Sequence, residues 1–86
     1  MIDVRTPEEY QAGHLIGSVN IPYQEIGERI TEITTDKKQA IQCYCRSGRR
    51  SGIATKTLQS LGYTNAQNAG GFEALKAQGK KSSDSR

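Results

Sequence analysis

An apolar run, Ala40-Ile41-Gln42-Cys43-Tyr44-Cys45, ends on a cysteine, and a helical pattern follows at once from Arg50 to Leu61. This strand–loop–helix unit constrains the chain more than any other feature. A strand that feeds straight into a helix is the first half of a crossover, and crossovers build parallel sheets covered by helices. The unit also sets the thiol of Cys45 on the connecting turn, among Arg46, Arg49 and Arg50. Backbone N–H groups converge in such a turn, and the helix N-terminus adds partial positive charge there. Those surroundings favour thiolate, the reactive form, so a nucleophile for an anionic substrate is expected.

The rest of the chain repeats the alternation. Ile2-Asp3-Val4 reads as a strand. Thr6-Pro7-Glu8-Glu9 starts a helix, with Thr6 as cap, Pro7 at the first helical position and Glu9 closing a capping box; Gly13 stops it. Ser18-Val19-Asn20-Ile21 is a short strand ended by Pro22. Ile26, Ile30 and Ile33 recur at helical spacing, which predicts an amphipathic helix over 23–33. The helix after Cys45 is expected to bury Ile53, Ala54, Thr57, Leu58 and Leu61 and to end at Gly62. Thr64 to Asn68 reads as another strand, Gly70-Gly71 as a turn and Phe72 to Ala77 as a last helix. Residues 1–79 therefore make one small α/β domain, and 80–86, rich in Lys and Ser, are expected as a disordered tail. The expected core is a mostly parallel sheet of about four to five short strands with helices on both faces. Ligands of such sheets sit beyond the carboxyl ends of the strands, where Cys45 lies.

Composition removes several alternatives. No run approaches the roughly 18 apolar residues of a membrane span. The net charge of +3 reads as ordinary solubility, while the arginines around Cys45 read as a local anion site. One Phe and no Trp leave nothing to interleave with the basic residues, so nucleic acid is not an expected partner. Cys43 and Cys45 would face the same side of a strand about 6.5 Å apart, a poor disulfide geometry. Cys43 is expected as a buried small hydrophobe rather than a resolving thiol. His14 is the single histidine, and no cluster suits a metal.

Four segments in order resemble the rhodanese family of sulfurtransferases, in its short single-domain form: Asp3-Val4-Arg5 with Pro7-Glu8-Glu9-Tyr10; Gly13-His14-Leu15-Ile16-Gly17-Ser18-Val19-Asn20-Ile21-Pro22; Cys45-Arg46-Ser47-Gly48-Arg49-Arg50-Ser51; and Gly62-Tyr63 with Asn68-Ala69-Gly70-Gly71-Phe72. The resemblance implies a rhodanese-like fold and thiosulfate sulfurtransferase activity, with Cys45 carrying the sulfane sulfur as a persulfide and passing it to cyanide, a thiol or a thioredoxin-like protein. It implies no metal or organic cofactor, and a monomer. The strand that usually precedes the Asp-Val-Arg motif is missing. If Met1 is the native start the cytoplasm is expected; an absent upstream export segment would place the protein in the periplasm.

On this reading the N–H groups of Arg46, Ser47, Gly48, Arg49 and Arg50 cradle the outer sulfur, and Gly48 permits the tight turn. Arg46 and Arg50 would bind sulfonate oxygens, with Arg49 as a steering charge; the choice among the three stays open. Ser51 is expected to cap the helix, with a hydrogen bond to the site as the alternative. Asp3 would hold a loop arginine or take backbone N–H groups, Arg5 would pair with Glu9, and His14 would make a structural hydrogen bond. Related phosphatases of the Cdc25-like or arsenate-reductase type carry an arginine six residues after the cysteine; here Ser51 stands there, and the tighter loop suits one sulfur atom. A non-catalytic persulfide carrier or a redox or partner-binding module is the other alternative.

Overall fold

A computed structural model describes residues 1–83. The elements follow the order β1 (Ile2–Asp3), α1 (Pro7–Ala12), β2 (Val19–Asn20), α2 (Ile26–Arg29) with a 3₁₀ turn (Ile30–Glu32), β3 (Ile41–Cys45), α3 (Arg49–Ser60), β4 (Ala66–Gly71) and α4 (Phe72–Ala77). All four strands are parallel in the order β2-β1-β3-β4. The strand order reverses between β1 and β3, so the crevice beyond their carboxyl ends is where such a sheet binds ligands. Asp3 and Cys45 occupy those two ends.

Alternation along the strands divides the interior. Ile2, Val4, Ile41, Cys43 and Cys45 face α2 and α3, packing with Ile26, Ile30, Ala54, Leu58 and Tyr63. Tyr44 faces the other way, onto Leu15, Phe72 and Leu75 of the α4 side. Its buried hydroxyl accepts the Leu15 N–H at 2.9 Å and meets Ser18 Oγ at 3.0 Å. Thus the single polar atom of the smaller core has partners, as a buried hydroxyl requires.

The α1 start follows the sequence: Thr6 Oγ1 accepts the Glu9 N–H at 3.2 Å and Glu9 Oε1 accepts the Thr6 N–H at 3.1 Å. Four local expectations fail, each for a tertiary reason. The 23–33 helix is one α turn and a 3₁₀ turn, and Ile33 is exposed. It reaches past the amino end of the sheet, where it lines a shallow groove with Met1 and Ala40. In α3 the face on the sheet is Ser51, Ala54, Thr55 and Leu58, while Ile53 and Leu61 are exposed at 47% and 42%. Thr55 can lie inside because its hydroxyl donates to Ser51 O at 2.8 Å. The last strand runs later than expected. Gly70 and Gly71 are part of it, pairing with Tyr44 and Cys45 after a bulge that skips Ala69. Finally, Lys80 to Ser83 do not leave the domain: Ser82 bridges to Leu15, Lys81 O accepts the Ile16 N–H at 2.9 Å, and His14 O accepts the Ser83 N–H at 2.7 Å. The remainder of the expected tail, 84–86, lies outside the described residues.

Candidate active site

The site is assembled where β3 becomes α3. Cys45 is fully buried at the end of β3, and the chain then wraps back over its sulfur. Gly48 makes this possible with φ +95°, the left-handed region that side chains resist. The Gly48 N–H donates to Cys45 Sγ at 3.0 Å, and Ser51 Oγ lies 3.6 Å from the same sulfur. Burial pushes the thiol up, but the Ser51 hydroxyl and the N–H groups of Ser51, Ser47 and Gly48 outweigh it and hold Cys45 below the ordinary thiol range. Two residues back, Cys43 meets the Thr55 hydroxyl but none of the loop N–H groups. Burial pushes it up to about 11 despite the Thr55 hydroxyl, so it is an unreactive neutral thiol.

The other wall of the cradle is the end of β4. A Cβ on Gly71 would lie 2.6 Å from Arg46 O, so only glycine fits against the loop. Gly71 has ordinary extended backbone (φ −101°, ψ 152°); space, not conformation, demands glycine there. Asn68, three residues earlier, donates from Nδ2 to Gly48 O at 2.9 Å and accepts Ser51 Oγ at 2.6 Å and the Gly70 N–H at 3.0 Å. Ser51 therefore does not cap α3; Gly48 occupies the cap position, and the Ser51 hydroxyl is directed at Asn68 and Cys45.

The three loop arginines separate. Arg50 makes a two-armed pair with Glu9 of α1, at 2.8 and 3.1 Å. Its guanidinium also faces Cys45, and its affinity for the proton rises, chiefly through Glu9 and in smaller part through that sulfur. Arg46 and Arg49 are exposed. Arg46 borders a groove of about 410 Å³ together with Arg5, Ala12, Gly13, Phe72 and Glu73. The groove, which Glu9 also lines, lies beside the loop, and buried Cys45 is not part of its wall.

The expected Arg5–Glu9 pair is not made. Arg5 turns inward instead: Nη2 donates to Asp3 Oδ2 and to Gly13 O, both at 2.6 Å, and the guanidinium lies 4.5 Å over the Phe72 ring. Asp3 holds this arginine and the Arg5 N–H (2.9 Å) rather than a loop arginine. The buried pair ties the end of β1 to the end of α1, and so fixes the helix that presents Glu9 to Arg50. His14 Nδ1 hydrogen-bonds Tyr10 O at 2.8 Å and the ring stacks on Tyr10, as a structural histidine does. Sequence reasoning did not give Asn68 a role and set Glu9 against the wrong arginine. The Asn68-Ala69-Gly70-Gly71 segment was a signal for the first, but nothing local points from Glu9 to Arg50.

Residues 1–78 match the model of the rhodanese-like domain. The thiosulfate sulfurtransferase PspE of Escherichia coli is 47% identical over 74 residues, covering 86% of this chain and 71% of that protein. The putative sulfur carrier protein YrkF of Bacillus subtilis is 37% identical over 68 residues, covering 79% of this chain; the chain spans 36% of its length. Among solved structures, a rhodanese with anions from E. coli superimposes with a TM-score of 0.88 at 41% identity, covering 96% of this chain and 94% of that one.

Proposed function

The chain belongs to the rhodanese-like domain family, and from that premise we propose that it is a thiosulfate sulfurtransferase with Cys45 as nucleophile. The observation that carries this reading is the Cys45 sulfur held under the Gly48 N–H at 3.0 Å, in surroundings that lower its pKa. The thiolate attacks the outer sulfur of thiosulfate. The S–S bond of the donor breaks, sulfite departs with the electron pair, and a persulfide remains on Cys45. An acceptor then takes the outer sulfur: cyanide gives thiocyanate and returns the thiolate. The N–H groups of Ser47 and Gly48 are placed to hold negative charge on sulfur, and they need no reorganisation to do so. Arg46 and Arg49, exposed beside the loop, draw the dianion inward. Arg50 is engaged by Glu9 and contributes as a fixed charge beside the sulfur. Asp3 and Arg5 support the site from below by fixing α1.

The close fit of the loop around one sulfur, with Gly71 packed on Arg46 O, favours sulfur transfer over the phosphatase alternative, whose substrate needs a wider ring. A second reading, a persulfide carrier serving another protein, is supported by the resemblance to the putative sulfur carrier protein. It uses the same thiol and differs in the acceptor.

Mass spectrometry of the reduced protein after thiosulfate treatment tests both. A gain of about 32 Da on the Cys45 peptide is expected, with loss of the label and formation of thiocyanate when cyanide is added. Cys45→Ser should show neither. A wild-type protein that takes up no sulfur overturns the reading; one that takes it up but yields it only to a protein thiol selects the carrier.

A further inference from the structure

We propose that Asn68 is a positioning residue for Cys45, fixing at once the loop carbonyl of Gly48 and the hydroxyl of Ser51. It rests on Cys45 being the reactive thiol, and it assigns work to a residue of β4 outside the Cys45 loop.

The argument is one of donors and acceptors. Gly48 O can only accept, so the Asn68 Nδ2 that meets it at 2.9 Å fixes which way the carboxamide points. Oδ1 must then face Ser51 and Gly70, and it can only accept. The single Ser51 proton is drawn toward Asn68 at 2.6 Å, which leaves a lone pair toward Cys45 Sγ at 3.6 Å. A thiol can give its proton to that lone pair. When Cys45 is a thiolate, the hydroxyl can turn and donate to sulfur. Asn68 Oδ1 is not stranded by the turn, because the Gly70 N–H still serves it at 3.0 Å. The bulge at Ala69 puts Asn68 and the Gly70 N–H in the same place. Charge reaches Cys45 from Arg50 on α3, itself paired with Glu9 on α1, and both are left in place by a change at Asn68.

The test is the pH dependence of Cys45 alkylation by iodoacetamide, read on the Cys45 peptide, with the thermal midpoint measured alongside. Asn68→Ala unties the Gly48 carbonyl, so the loop no longer holds the Gly48 N–H on the sulfur; the Ser51 hydroxyl loses a competing acceptor, a smaller effect of opposite sign. Its alkylation midpoint should rise by about one pH unit, a roughly tenfold loss of thiolate below the midpoint. Asn68→Asp keeps the size, cannot donate to Gly48 O and holds the Ser51 proton more tightly, so its midpoint should rise further. In the Ser51→Ala background the Asn68→Ala rise should be larger, since the opposing effect of the freed hydroxyl is gone. Alkylation midpoints equal to wild type in both Asn68 variants overturn the proposal, as does full additivity with Ser51→Ala. A wild-type Cys45 that titrates as an ordinary thiol counts instead against the nucleophile assignment itself, so the two failures are distinguishable.

Discussion

Replacing Glu9 by glutamine isolates the ion pair that ties α1 to the active loop. Glutamine at this position still closes the capping box, so the helix start is kept. What is lost is the charge facing Arg50 at 2.8 and 3.1 Å. That guanidinium first, with the Thr6 N–H and hydroxyl adding to it, carries the Glu9 carboxyl from 4.5 down to about 2 against the opposing effect of burial. A difference of about 2.5 pH units is worth up to about 3.4 kcal/mol at 1.36 kcal/mol per unit. With 29% of the Glu9 side chain still exposed, screening by water reduces this to about 1–2 kcal/mol. The sign is that of a depressed carboxyl. Above about pH 4.5 the contribution is complete, and it is lost as pH falls toward 2, where the folded form also takes up the proton. Urea unfolding at pH 7 should therefore place Glu9→Gln about 1–2 kcal/mol below wild type, and its thermal midpoint should be lower by about 4–8 °C per kcal/mol for a domain of this size. The gap between the two proteins should close as the pH is lowered through that window. Equal stability at pH 7, or a gap that persists at pH 2, would refute the assignment of this pair.

Two further outcomes follow from the site. Gly71→Ala pushes a methyl group toward Arg46 O, so the loop must shift; thiocyanate formation should fall by at least about tenfold while the fold survives, and an unchanged rate would show that the wall of the cradle is not formed by β4. Exposed Arg46 and Arg49 act on an anion at long range, so kcat/KM for thiosulfate should drop as sodium chloride rises from 0.01 to 0.5 M, over which the screening length shortens several-fold; a flat profile removes their steering role.

The alternation of strand and helix signals was enough to define a parallel α/β domain, because chain connectivity leaves a strand–helix–strand unit few ways to bury its apolar faces. The α1 start was legible to the atom, since a capping box closes within four residues. So was the place of the Cys45 thiol: a cysteine between an apolar strand and a helix carries its own electrostatics with it. Elements whose position depends on distant partners were not legible. Periodicity put Ile53 and Leu61 inside α3, but the helix turns Ser51 and Thr55 inward because Cys45, Asn68 and the sheet await them. Gly70-Gly71 looked like a turn, yet its lack of side chains serves a strand pressed against the loop.

The amino-acid sequence by itself determined what is local: which segments are helical or extended, where the thiol sits, and how tight its loop is. Only the tertiary structure decided which charges meet. Arg5 lies four residues from Glu9 and was expected to pair with it, but burial beside Asp3 and Phe72 claims the guanidinium, and Glu9 is left for Arg50, 41 residues away. A buried cation needs its partner close and fully hydrogen-bonded, whereas a half-exposed carboxylate can accept whichever arginine the packing brings within reach.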